Sequence, residues 1–222
     1  MPVNDYLEKE LNLAEHQILA SLNSSVKIQL FLDELAYSTE PIYRCPLRVL
    51  RDRVAHCFDG GMFAAAVLSR LGFPPLVVDL IPNDQDDDHL LAVYKMDGYW
   101  GAVAKSNYVG LRFREPIFRN LRELVMSYFE QYYNINQEKT LRGYTIPLNL
   151  KKFDRDEWMI KDEALDLIAQ RLDEIRKFNI LTPAMIDRLT SVDERSYQAG
   201  LSGSNPAGLY QPSPHNKSWE KS

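Results

Sequence analysis

Cysteine is scarce, with only Cys45 and Cys57 in a chain of 222 residues. That excludes the disulfide framework of small secreted domains and fits a reducing compartment. Long apolar runs are missing too. No stretch approaches the roughly 18 apolar residues that span a bilayer. The opening Met1-Pro2-Val3-Asn4-Asp5-Tyr6 shows no basic stretch followed by an apolar run, so no signal peptide is legible. Positive charge is in deficit, with a net charge of −5 and a pI near 5.4. Nucleic acid is therefore disfavoured as the main partner, because phosphate binding needs a cationic surface. Internal repeats and a glycine motif for a nucleotide phosphate are also lacking. What remains is an ordinary globular balance, 45% apolar and 26% charged, enough for one sizeable core. The expectation is a cytoplasmic soluble protein with no membrane partner.

Helical spacing opens the chain. Leu7, Leu11, Ala14, Ile18 and Leu22 predict a helix over 5–22, and Ser24 and Ser25 can cap a second carrying Ile28, Phe31 and Leu35. Residues 38–46 hold two prolines and read as a connection, and 47–55 form a short amphipathic stretch. From Phe58 to Leu71 the residues are almost all apolar, which predicts a buried central helix that Gly72 can end. Strand patterns follow at 76–81, 89–96 and 99–106, the last two as a hairpin around Asp97-Gly98. Helices are predicted again over 118–133 and 156–178. Such segregation predicts an α+β fold with a mainly antiparallel sheet. One domain is expected over 1–195, with its core at about 26–150. A Gly/Ser/Pro/Asn-rich tail at 196–222 is expected to lie on a surface or on a second copy of the chain.

The chemistry-bearing stretch is Arg53-Val54-Ala55-His56-Cys57-Phe58-Asp59-Gly60-Gly61-Met62. A cysteine where a buried helix begins lies near unpaired amides, and the helix dipole there favours thiolate. Gly60 and Gly61 fit a place where backbone or substrate approaches closely. Taken alone, Cys57 reads better as a small buried hydrophobe. His89 alone reads better as a surface histidine beside four aspartates. Together, a cysteine at a helix start, a histidine 32 residues later on a facing strand and a polar group on the next strand make a nucleophile, base and orienter.

The run from Cys57 to Pro74 resembles the nucleophile helix of the transglutaminase-like superfamily: cysteine, small residues, an Ala/Leu-rich helix, then Leu71-Gly72-Phe73-Pro74 before a strand. His89-Leu90-Leu91-Ala92-Val93-Tyr94, followed by Gly98-Tyr99-Trp100, is similar to its histidine strand and the turn into its tryptophan strand. The similarity covers roughly residues 26–110 and is close to an uncharacterised bacterial family. It implies a papain-like core with extra N- and C-terminal helices, and thiol chemistry on amide or related acyl bonds. No metal or organic cofactor is implied.

The superfamily's aspartate, four residues after the tryptophan, is here Ala104. Strand alternation offers Ser106 as the group that orients His89, and a bulge would bring in Asn107. Backbone amides around Cys57 and Phe58 are expected to hold the oxyanion. Gly60, Trp100, Lys105 and Arg112 are candidate substrate contacts, the last two for an anionic group; Arg112, Arg114, Arg119 and Arg122 read otherwise as partners of nearby glutamates. Asp84, Asp86, Asp87 and Asp88 lack the spacing of a Ca²⁺ loop and read as a solvated acidic loop. Beside His89 that loop is expected to raise the imidazolium pKa and favour a thiolate–imidazolium pair. Cys45 reads as structural. The leading expectation is a thiol hydrolase or acyltransferase acting on a peptide or small amide. The alternative is an inactive fold kept as a binding or assembly module, docking a second copy through the C-terminal helix and the anchors Tyr197, Tyr210 and Trp219.

Overall fold

The computed structural model describes residues 5–212. Trp219 lies outside the described residues. Helices α1 (Asp5–Glu10), α2 (Leu13–Ser21) and α3 (Ser25–Glu34) open the chain. The single helix expected over 5–22 is two helices. Asn12 starts α2 afresh, accepting the Glu15 amide while the Glu15 carboxylate accepts the Asn12 amide. Strand β1 (Ala36–Tyr37) pairs in parallel with β2 (Val54–Ala55), and α4 (Pro46–Asp52) lies between them in sequence. Helix α5 (Cys57–Arg70) runs to Leu71, and Gly72 turns the chain at φ +91°.

The main sheet holds β3 (Leu76–Pro82), β4 (His89–Met96), β5 (Tyr99–Val103), β6 (Arg114–Phe118), β7 (Leu141–Thr145), β8 (Leu148–Asn149) and β9 (Lys177–Asn179). Its order is β6-β5-β4-β3-β7-β9, with β8 continuing β7's side of β3, and every pairing is antiparallel. Asp97 and Gly98, both at positive φ, close the β4–β5 hairpin as expected.

Alternation divides the sheet's apolar residues between two cores. Val77, Leu90, Ala92, Tyr94 and Val103 face α5, α3 and α4, together with α7 (Glu163–Glu174). Val78, Leu80, Leu91, Val93, Ala102 and Ala104 face α6 (Leu121–Met126) and the tyrosines after it. The chain is thus α+β, with α5 buried against the centre of an antiparallel sheet.

Two helix expectations shrink. Over 118–133, Asn120 caps a helix only at Leu121, and residues 114–118 form an edge strand that tolerates Pro116. Over 156–178, Glu157 at φ 53° ends a 3₁₀ turn, the helix spans only α7, and β9 follows it. Short helices α8 (Pro183–Ile186) and α9 (Glu194–Gly200) lead to a final segment. It returns across the end of the sheet rather than leaving the domain: the Asn205 amide donates to Asn107 Oδ1 at 2.7 Å, and Asn107 Nδ2 donates to the Asn205 carbonyl at 2.8 Å.

Candidate active site

Cys57 is the first residue of α5, and His56 caps the helix, its Nδ1 accepting the Phe58 amide at 3.2 Å. Asp59 completes the cap from inside the protein. It accepts the amides of His56 (3.3 Å) and Arg44 (2.8 Å), which ties the connection before α4 to the start of α5. Tyr37, at the end of β1, lies on this helix start, its phenol against the Cys57 amide and thiol. His89 opens β4, where Leu80 faces it across the ladder. Cys57 and His89 line one cavity of about 540 Å³, together with Tyr37, Asp79, Asp88 and Tyr132.

The imidazole is held by backbone. Its Nε2 lies 2.7 Å from the Leu111 carbonyl, and its ring meets Tyr132 edge-on at 6.3 Å between centroids. A carbonyl can only accept, so Nε2 carries the proton and Nδ1 is left as the basic nitrogen. Leu111 ends a 3₁₀ turn (Val109–Leu111) fixed from two sides. Arg114 donates to the Gly110 carbonyl, and the Tyr128 hydroxyl donates to the Arg112 carbonyl.

Ser106 and Asn107 both line the cavity but are engaged elsewhere. Extending the Ala92↔Val103 register would set Ser106 opposite His89, but the ladder stops at Val103. It stops because the Gln29 side chain takes both Ala104 backbone groups, at 3.0 and 3.1 Å, in place of a strand. Ser106 Oγ then accepts the Tyr108 amide at 3.0 Å, and Asn107 pairs with Asn205. The group facing Nε2 is thus the Leu111 carbonyl, which no side-chain pattern announces.

The four candidate substrate contacts lie outside the cavity lining. Gly60 packs on Lys105, whose Cβ would be 2.2 Å from a Cβ at position 60. Lys105 itself is buried, donating from Nζ to the Leu32 and Leu35 carbonyls. Trp100 lies under the Lys95 ammonium, and Arg112 pairs with Asp33 at 2.9 Å. Of the arginine cluster, Arg114 stacks on Tyr128.

The electrostatics reverse two expectations. Burial pushes the Cys57 thiol well above the ordinary value, and Asp87, Asp79 and Asp59 add to the push. The Phe58 amide opposes it, but burial and three carboxylates outweigh a helix start. Burial also lowers His89 to about 4, against the pull of the Leu111 carbonyl and with Arg114 adding repulsion. The resting pair is therefore neutral thiol and neutral imidazole, not thiolate and imidazolium. The Phe58 amide, expected at the oxyanion, is already given to His56. Cys57 Sγ donates to the Asp88 carbonyl at 3.6 Å, and no hydrogen bond joins it to His89. Cys45 is buried, its thiol pushed up to about 12, chiefly by burial.

The α+β fold thus brings a helix-start cysteine and a strand-start histidine to the wall of one cleft. No protein-family model and no curated protein matches this sequence. Among solved structures, LapG of Legionella pneumophila is similar at 12% identity and a TM-score of 0.36, over 50% of this chain and 73% of LapG. A structure of EGTA-treated LapG is similar at the same identity and score, over 51% of this chain and 72% of that one. Among the described residues, no helix is long and apolar enough to cross a membrane.

Proposed function

We propose that the protein is a transglutaminase-like thiol enzyme of the cytoplasm, acting on an amide or related acyl bond of a peptide or small molecule. The observation that carries this reading is the shared cavity: Cys57 and His89 line it, and the Leu111 carbonyl holds the imidazole in the tautomer whose free nitrogen is Nδ1. Cys57 leaves the Asp88 carbonyl and attacks the substrate carbonyl carbon while its proton passes to Nδ1. The Cys57 amide and the Tyr37 hydroxyl beside it are the donors assigned to the oxyanion on this reading. Collapse breaks the C–N bond, and His89 returns the proton to the departing amine. Water or a second amine then attacks the thioester by the same route, restoring the thiol. With His89 neutral at rest, Nδ1 is free to take the proton, and the thiol ionises only as it attacks.

The test is acylation by p-nitrophenyl acetate, read by intact mass. One acetyl group is expected on Cys57 and none on the Cys57→Ala variant. The rate should rise as pH climbs through about 4, where His89 loses its proton, and then level off below the thiol's own titration. His89→Ala should slow acylation by about 10²–10⁴. A chain whose Cys57 takes no acyl group under any of these conditions has no such activity.

A second reading, a transglutaminase-like fold kept as a binding or assembly module, is favoured by the same thiol: its proton is held by the Asp88 carbonyl, and Ala104 offers no carboxylate to the imidazole. On that reading Cys57→Ala behaves as wild type in the host.

A further inference from the structure

The cavity over Cys57 is charged on one side of the ledger only. Glu40, Asp79, Asp86, Asp87, Asp88 and Asp173 line it, brought there by the connection before α4, by β3, by the β3–β4 loop and by α7. Neither lysine nor arginine lines it. Lys177 is close enough to lower the pKa of Asp79 and Asp88, but it stands outside the wall. Aromatic faces supply much of the remaining surface, among them Tyr43, Phe58, Tyr108, Tyr132 and Tyr210.

Asp79 is the informative member. It is 6% exposed, its amide donates to Thr145 Oγ1, and its carboxyl has no hydrogen-bond partner among the described residues. A buried carboxyl left unpaired is costly, and the usual resolutions are a cationic partner or a proton. Burial, then Asp88, raises its pKa, the direction expected of a carboxyl without a cationic partner. No group of three or more His, Cys, Asp or Glu among the described residues is arranged to hold a metal ion. An organic cation needs no such geometry. It needs one or two carboxylates and aromatic faces, which attract an ammonium or guanidinium through their ring quadrupoles.

We propose that this cavity takes an organic cation, the ammonium or guanidinium of a basic side chain, seated between Asp79, Asp87 and Asp88 against the tyrosine wall. This rests on the thiol-enzyme reading of the same cavity and names its substrate class: an acyl donor carrying lysine or arginine beside the scissile bond. The aspartates select charge and the aromatic faces select a flat or alkyl body. Neutral and acidic donors are disfavoured because they offer no charge to offset desolvation of these carboxylates.

Calorimetric titration of the full chain with Nα-acetyl-arginine amide and its uncharged analogue Nα-acetyl-citrulline amide tests this. The arginine compound should bind at least about tenfold more tightly. Asp79→Asn and Asp88→Asn should each remove most of that preference; Asp88 is exposed, so its variant keeps the fold if Asp79→Asn does not. Binding should tighten from pH 5 to 7. Asp86 and Asp88, both raised to about 6 chiefly by desolvation, lose their protons there, and Asp79, Asp87, Asp173, His56 and Lys177 are the titratable groups that face them. Competition by 1,5-diaminopentane separates two sources of the cation. Weaker binding of the diamine points to the donor's side chain, and tighter binding to a free amine as co-substrate. Equal affinity for arginine and citrulline compounds, binding of Ca²⁺ alone, or no binding at millimolar concentration overturns the proposal. A charge preference without acetylation of Cys57 refutes the enzyme and leaves the cation site standing. Acetylation without a charge preference does the reverse.

Discussion

The Nζ of Lys105 lies 2.7 Å from the Leu32 carbonyl and 2.6 Å from that of Leu35, at the end of α3, where the Leu32 carbonyl also takes the Leu35 amide and the Leu35 carbonyl lies past the last turn. A cation there also meets the negative end of the helix dipole. Burial nevertheless lowers its pKa to about 8, so desolvation outweighs both attractions. Between about pH 8 and 10.5 the unfolded chain keeps a proton that the folded chain has lost, and stability therefore climbs with pH across that window. Lys105→Met leaves the Leu35 carbonyl without its donor, while the Leu32 carbonyl keeps the Leu35 amide, at a cost of about 1–3 kcal/mol. It also loses the climb, so its deficit against wild type should widen between pH 8 and 10 in urea unfolding. A constant or narrowing deficit contradicts that role. Tyr37 is the second residue whose chemistry reduces to one atom. If its hydroxyl helps to hold the oxyanion, Tyr37→Phe should slow acetylation of Cys57 by about 10²-fold, the order lost with one oxyanion donor. Thermal unfolding of the variant should stay within a few degrees of wild type. An unchanged acylation rate assigns the hydroxyl to packing alone.

Helix α5 lies close to β4 and β3, and Gly60 is what lets it lie so close to Lys105. Gly60→Ala gains about 1 kcal/mol of helix propensity. It also forces a Cβ to within 2.2 Å of the Lys105 Cβ, and overpacking of that kind costs about 1–3 kcal/mol or more. The net effect should be destabilising, seen as a lower thermal midpoint, whereas a stabilised variant would show that the helix can shift outward freely. Gly60 also marks what a sequence conveys at this scale. The α5 helix, its cysteine start, the β4–β5 hairpin and the opening of β4 at His89 were all legible, because each is local: a run of apolar residues, a turn dipeptide, a period of two. Strands β7 and β9 were not, because Leu141–Thr145 is too short and mixed to alternate clearly, and β9 follows a helix without a strong break. The end of β5 was misplaced for a nonlocal reason, since Gln29 on α3 occupies the Ala104 backbone and ends the ladder before Ser106. Parity cannot foresee a side chain acting as a strand. The Leu111 carbonyl, Tyr37 and Asp79 reach the site from segments whose meeting only the tertiary fold decides.

Across the whole molecule, the C-terminal segment closes the cavity. Asn205 exchanges two hydrogen bonds with Asn107, its side chain reaches the Tyr37 carbonyl at 3.4 Å, and Gly208 abuts the Tyr37 ring, so that residues 207–210 become part of the wall around Cys57. The composition of this segment, rich in Gly, Ser, Asn and Pro, places it on a surface or a second copy but names no anchor within the domain, because it carries few apolar side chains; its attachment is made by backbone and amide groups instead. Two full-length variants test what the segment does. Asn107→Ala removes both bonds to Asn205, a net loss of about 2 kcal/mol at roughly 1 kcal/mol each. Gly208→Ala places a Cβ 2.7 Å from Tyr37 Cδ1, closer than carbon atoms approach, and should push the segment off the ring. Both should speed alkylation of Cys57 by iodoacetamide, by several-fold or more, while buried Cys45 stays slow. Asn107 distinguishes two accounts of itself here. As a residue orienting His89, its loss would slow acetylation of Cys57 and leave alkylation little changed; as an anchor of the segment, its loss should open the cavity and speed both. Gly208→Ala presses on Tyr37 and comes within 3.3 Å of Asn107 Nδ2 but leaves the Asn107 amide in place, so matching acceleration in the two variants assigns the effect to the segment, and acceleration in neither means that the wall at 207–210 does not limit access to the thiol.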